Sequence, residues 1–272
     1  MLDRYNRRIN YLRVSVTDRC NLRCRYCMPC GDFVMLRHED ILRFHEIVEV
    51  VREGVAMGID KVRITGGEPL VRRDIVKLTG MIASVRGVND LAMTTNGVLL
   101  ERFARPLREA GLMRLNVSLD TMDRARFSEL TSGGNIDDVV RGIDAAVSAG
   151  LTPMKINCVV AGSSGLPGSS GASDALDVKE FADKRGLQVR FIRQMDLDGG
   201  EFSVVEGGEG GDCPRCNRLR LTASGKVKPC LFSDIAFDVR TLGARKALFE
   251  AVLHKPEHGT ACSTDHFYNI GG

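Results

Sequence analysis

Apolar and polar positions alternate in short blocks through the first 195 residues, and the period of the alternation switches back and forth. Tyr11–Asp18 (YLRVSVTD) repeats every two residues, as a strand does. Across Glu39–Met57, Ile41, Leu42, Phe44, Ile47, Val48, Val51 and Val55 fall at helical spacing. Lys61–Thr65 then reads as strand and Asp74–Val85 as helix, followed by strand Leu91–Thr95 and helix Glu101–Ala110. Arg114–Leu119 is the next strand, with helices over Arg124–Leu130 and Asp137–Ala149. Strands Met154–Val160 and Val189–Met195 close the series around a helix at Leu176–Arg185. Six such alternations predict a parallel sheet, because parallel strands need crossovers long enough to hold a helix. No early GxGxxG is present. The expected fold is therefore α/β, a curled and incomplete (βα)6 TIM-like barrel coated by helices, rather than a dinucleotide-binding sheet.

Two stretches break the rhythm. Residues 161–173 (AGSSGLPGSSGAS) read as a surface loop, and 199–212 (GGEFSVVEGGEGGD) as a Gly-rich linker into a C-terminal segment too small for a large core of its own. Composition changes little in this picture: 43% apolar and 27% charged residues describe an ordinary globular chain. A net charge of +3 and the absence of Trp argue against a nucleic-acid surface. No apolar run reaches 18 residues, and the first ten residues are charged, so neither a membrane nor a secretory route is expected and a cytoplasmic setting is.

Nine cysteines do change it. In a reducing setting an odd, clustered set points to metal or cluster ligation rather than disulfides. Cys20, Cys24 and Cys27 follow the first strand with Cys-x3-Cys-x2-Cys spacing, which lets one loop ligate three irons of a [4Fe–4S] cube and leaves the fourth open. A closed zinc site with Cys30 is the competing reading. Cys213, Cys216 and Cys230 offer a second trio, for which a zinc knuckle is again the alternative. Arg218 and Arg220, two apart, would point to one side of an extended segment and suit phosphate. Cys158 sits mid-strand as a small hydrophobe, and Cys262 suggests no role.

The first trio, with Tyr26 before its last cysteine, resembles the radical S-adenosylmethionine (SAM) enzymes. Gly66-Gly67-Glu68-Pro69 resembles that superfamily's segment for the SAM amino group, with glycines allowing close approach and Glu68 able to hold an ammonium. Within the superfamily, LRVSVTDRCNLRCRYCMP, VRITGGEPLVRRDI, TTNGVLL, LNVSLDT, the RLRL after Cys216 and the terminal Gly271-Gly272 resemble the GTP 3′,8-cyclase (MoaA) family of molybdenum-cofactor biosynthesis.

That resemblance implies two [4Fe–4S] clusters, the second on Cys213, Cys216 and Cys230, and SAM as cofactor. It implies SAM contacts at Gly67, Ser118 and Met195. It places Arg13, Lys61, Arg63 and Thr94 at the GTP site, together with Lys155, Arg190, Arg218 and Arg220. The Gly271-Gly272 tail would enter the site late in turnover. An external reductant, a downstream cyclic pyranopterin synthase and a homodimer complete the implied partners. Residues 1–198 would form the partial barrel and 213–272 the auxiliary-cluster segment. The chain departs from the family between Met195 and Cys213, where only 17 residues stand in for a much longer stretch, and at Arg193-Gln194. A MoaA-like enzyme acting on another nucleotide, a peptide or a tetrapyrrole precursor is the first alternative. A non-enzymatic module with two metal sites is the second.

Overall fold

The computed structural model describes residues 1–28, 34–160, 171–195, 202–259 and 267–270. In chain order its elements are β1 (Tyr11–Ser15), α1 (Phe44–Ala56), β2 (Lys61–Thr65), α2 (Ile75–Ala83), β3 (Asp90–Thr95) and α3 (Leu100–Glu109). Then come β4 (Arg114–Ser118), α4 (Arg124–Thr131), α5 (Ile136–Ser148), β5 (Met154–Val160), α6 (Ala172–Asp183) and β6 (Gln188–Arg193). The C-terminal part adds β7 (Arg218–Leu221), β8 (Lys226–Lys228), β9 (Phe237–Asp238), α7 (Val239–Leu242), α8 (Ala244–Leu253) and α9 (Phe267–Ile270). One open sheet holds all nine strands in the order β6-β5-β4-β3-β2-β1-β7-β8-β9. β1 to β6 are parallel neighbours in sequence order, the (βα)6 partial barrel expected from the alternation.

The alternation has a physical consequence at every strand. Leu12, Val14, Val62, Ile64, Leu115, Val117 and Ile156 turn outward to the helices and are buried in the main core. Their neighbours on the other face are polar: Arg13 and Arg63 are paired in register, as are Asn116 and Lys155, and Asn157 and Arg190. The concave side is thus a polar lumen instead of the layered apolar packing of a closed barrel. Cys158 has the outward parity and is fully buried in the core.

The first helix starts later than its apolar spacing predicts, at Phe44 rather than Glu39. Leu42 donates its backbone N–H to the Ala223 carbonyl (2.8 Å), and Arg43 is extended. That tertiary bond holds the chain extended where the spacing would have given more than one further turn of helix. The C-terminal part builds on the same core. β7 runs parallel to β1, with Tyr11 opposite Arg218 and Arg13 opposite Arg220, while Leu219, Leu221, Leu248 and Val252 join the main core. Each leucine so buried contributes about 1.5–3 kcal/mol. A small second cluster of Leu231, Phe232 and Ile270, with Met195, Phe202 and Cys230 against it, sits apart. No described helix is long and apolar enough to cross a membrane.

Candidate active site

The first cysteine trio is held by its neighbours on both sides. The Arg23 and Arg25 N–H groups bond the Thr131 and Leu130 carbonyls at the end of α4 (both 3.1 Å), so the loop uses acceptors that the helix leaves open. A turn follows, with the Cys27 and Met28 N–H groups on the Cys24 carbonyl (3.0 and 2.8 Å). Before the trio, the Gly67 and Glu68 N–H groups bond the carbonyls of Thr17 (2.7 Å) and Arg19 (2.8 Å). The chains come so close that a Cβ on Gly67 would lie 2.4 Å from the Arg19 carbonyl oxygen, which is why a glycine stands there.

Glu68 is buried and its carboxylate is occupied. It accepts from the Leu70 N–H (2.9 Å), the Thr95 hydroxyl (2.7 Å) and the Asn96 N–H (2.7 Å). Burial nevertheless pushes its carboxyl up to about 7. Tyr26 donates its hydroxyl to Asp120 Oδ2 (3.0 Å), and Asp120 Oδ1 accepts from the Val159 N–H (2.8 Å). Asp120 therefore ties the cysteine loop to β5, a role its position at a strand end does not announce. Burial, more than any neighbour, raises its carboxyl to about 6.

Cys20, Cys24, Cys27, Tyr26, Gly66, Gly67, Glu68, Ser118 and Met195 all line one cavity of about 190 Å³. The donor chemistry fits an iron–sulfur cluster. Burial pushes the Cys24 thiol far up and the Cys27 thiol up to about 12, and each is further raised by facing other cysteines of the trio. Such thiols become thiolates when a cationic group replaces the protons. Cys20 Sγ accepts from the Leu22 N–H (3.4 Å) and Asn96 Nδ2 (3.7 Å), the kind of N–H···S support cluster ligands receive. Among the described residues no three His, Cys, Asp or Glu side chains close on a single-ion position. Cys30 and Cys262 lie outside the described residues, as do Gly271-Gly272 and most of the 161–173 loop.

The second trio lines an adjoining cavity of about 170 Å³ with Arg13, Arg218, Arg220 and Lys255. Phe202 stacks on Phe232 beside it (4.6 Å, 23°). A third space of about 310 Å³ adjoins both cavities. Seven basic side chains line it, among them Lys61, Arg63, Lys155 and Arg190, against one acid, Glu209. Arg114 is tied to Asp90, and Arg63 reaches the Tyr11 hydroxyl and Thr94 Oγ1 (3.3 Å). Burial and then neighbouring cations lower Arg190 and Lys155, and Arg220 falls to about 10 for the same reasons. Arg190 Nε, Arg218 Nε and Asn157 Oδ1 are buried without a partner. Asn157 and Ile192 line all three spaces, which therefore adjoin at those two side chains.

Every predicted site residue lines one of these three spaces. Arg220 belongs to the second-trio space and Thr94 to the first-trio space, rather than to the cationic one. Sequence reading missed Asn157, Ile192, Tyr11 and Lys255. Asn157 and Tyr11 share the parity of Lys155 and Arg13 and were findable by it; Ile192 and Lys255 carry no local signal.

Residues 14–172 match the Radical SAM superfamily. A GTP 3′,8-cyclase from Thermodesulfovibrio yellowstonii is 42% identical, over 94% of this chain and 95% of that protein. One from Alkaliphilus oremlandii is 36% identical, over 98% and 96%. The chain belongs to the GTP 3′,8-cyclase family of radical SAM enzymes. Both alignments run over 314 positions, more than the 272 residues of this chain, so the relatives carry stretches that it lacks. The fold resembles Streptococcus suis SuiB bound to S-adenosylmethionine, with TM-score 0.62 at 17% identity, over 93% of this chain and 65% of that one. It also resembles anSMEcpe with bound AdoMet, with TM-score 0.59 at 14% identity, over 91% and 81%. As a radical SAM family member the chain is an enzyme that uses SAM and an iron–sulfur cluster, and the cavity before Cys20, Cys24 and Cys27 fits both.

Proposed function

We propose that the chain converts GTP to 3′,8-cyclo-7,8-dihydroguanosine triphosphate, and that Cys213, Cys216 and Cys230 hold a second [4Fe–4S] cluster. One observation carries this reading. A space adjoining the cavities of both cysteine trios is lined by seven basic side chains and one acid, with buried guanidinium Nε atoms left unpartnered. Like charges gathered in a partly buried space raise the free energy of the empty protein, and a polyanion such as a triphosphate relieves it.

When bound, SAM and the first cluster supply a 5′-deoxyadenosyl radical able to take hydrogen from the ribose C3′. The protein's own part is placement. Lys61, Arg63, Lys155 and Arg190 would grip the triphosphate with charge-assisted hydrogen bonds, fixing the ribose between the trios. Arg218 and Arg220 extend from adjacent inward positions of β7 toward the second trio, where the base would lie. Asn157 offers Oδ1 at the junction of the three spaces. The stacked Phe202 and Phe232 and the small apolar cluster exclude water from that end. Gly208, Glu209 and Gly210, from the short segment before Cys213, line the cationic space that a longer stretch would otherwise border.

The test uses anaerobically reconstituted, reduced protein with SAM, quantifying 5′-deoxyadenosine with and without GTP. A GTP-dependent rise with an equal amount of cyclised nucleotide is expected. SAM cleavage indifferent to GTP would retain the radical enzyme and reject GTP as substrate, leaving another phosphorylated ligand as the first alternative.

A further inference from the structure

Lys255 follows α8 and is 2% exposed. Its ammonium donates to the Arg218 carbonyl (2.8 Å) and to the Pro229 carbonyl (2.7 Å), and it lines the same cavity as Cys213, Cys216 and Cys230. Arg218 opens the strand that follows Cys216, and Pro229 immediately precedes Cys230. One buried side chain thus bridges both arms of the second trio. A buried ammonium needs a counter-anion to offset its desolvation. The trio beside it would supply that charge as thiolates once it carries a cluster.

We propose that Lys255 is the positioning residue of the second site: its ammonium holds the two arms of the trio in register and, as a buried positive charge in the cavity of the trio, raises the reduction potential of the cluster bound there. The proposal rests on the second-cluster reading above. Its physical basis is general. A positive charge beside a cluster stabilises the reduced, more negative form over the oxidised one. A lysine that merely packed would leave the potential unmoved when its charge is removed.

The test is made in full-length protein in which Cys20, Cys24 and Cys27 are all replaced by Ala, so that only the second site can hold iron. Four irons and four acid-labile sulfides per chain are expected. Potentiometric titration followed by electron paramagnetic resonance then compares Lys255 with Lys255→Met and Lys255→Arg. At the poise where the parent is half reduced, Lys255→Met should show a reduced-to-oxidised ratio at least tenfold lower, about 59 mV for one electron. Lys255→Arg should stay within about threefold of the parent. Should Lys255→Met lose its iron, Lys255→Gln is titrated in its place. Loss of iron from both neutral variants, with Lys255→Arg loaded, would equally support the charge as what holds the site. An unchanged potential in a loaded neutral variant, or loss of iron from Lys255→Arg as well, would overturn the assignment. Absence of iron from the parent itself would overturn the second-cluster reading, and the assignment with it.

Discussion

Arg190→Met separates a binding site for a polyanion from a structural cluster of arginines, because the two make opposite predictions for stability. Arg190 is half-buried, paired in register with Asn157, with its Nε unpartnered. Burial first, and then Arg63, Arg114 and Arg218, hold its charged form at a disadvantage in the empty protein. Two like charges about 8 Å apart repel by roughly 2 kcal/mol at an effective dielectric of about 20. With screening and the lost stem packing discounted, Arg190→Met should stabilise the ligand-free protein by on the order of 1 kcal/mol. The same substitution should weaken triphosphate binding. A charge-assisted hydrogen bond is worth about 1.5–3 kcal/mol, or roughly 10- to 150-fold in affinity. Thermal denaturation without ligand and anaerobic calorimetric titration with GTP read the two effects on one preparation. Added salt should narrow both differences, since it screens the repulsion and the attraction alike. A lower melting temperature with unchanged GTP affinity would refute the reasoning, for Arg190 would then be a packing residue.

Two further outcomes test the scaffold around these spaces. Gly67→Ala places a Cβ 2.4 Å from the Arg19 carbonyl oxygen, so the chain entering Cys20 must shift. We expect the purified variant to bind less iron at the first site, with stability lower by about 1–3 kcal/mol, and full iron content would contradict that account. Asp3 and Arg7 form a nearly buried pair at 2.6 Å, from which Arg7 also reaches the carbonyls of Cys213, Pro256 and Glu257. Burial alone would raise the Asp3 carboxyl, but the bonds from Arg7 and Tyr5 bring it below its usual value of 3.8. The stabilisation is therefore present above about pH 4 and is lost as pH falls through the depressed value. Asp3→Asn should cost about 3–5 kcal/mol at pH 7 and flatten the acid limb of the stability profile, as urea melts between pH 3 and 7 would show.

Much of this protein is legible without a structure because its signals are local. Strand parity is a period-two property of the backbone, so YLRVS, KVRIT, RLNVS and RLRL each declare an apolar and a polar face. The cysteine spacings and Gly66-Gly67-Glu68-Pro69 are equally local, because one loop supplies the ligands and adjacent residues supply the close approach.

What no single segment contains is which polar faces meet. The curl of six parallel strands turns Arg13, Arg63, Lys155 and Arg190 toward a common lumen, and the insertion of β7 beside β1 sets Arg218 opposite Tyr11 and Arg220 opposite Arg13. That insertion crosses some 200 residues of chain, a distance over which spacing carries no information. Lys255 illustrates the same limit. Its two carbonyl acceptors come from separate segments, so only packing could reveal them. Asp120, at a strand end, suits either a ligand-lining residue or a helix cap in sequence; in the structure Asp123 caps the helix that begins at Arg124, and Asp120 accepts from Tyr26 and Val159. The sequence determined the strands, their two faces and the thiol-bearing loops, all set by backbone geometry and short spacing. The tertiary structure decided that those faces line adjoining spaces of one lumen, because curvature and strand insertion depend on how the whole apolar core packs.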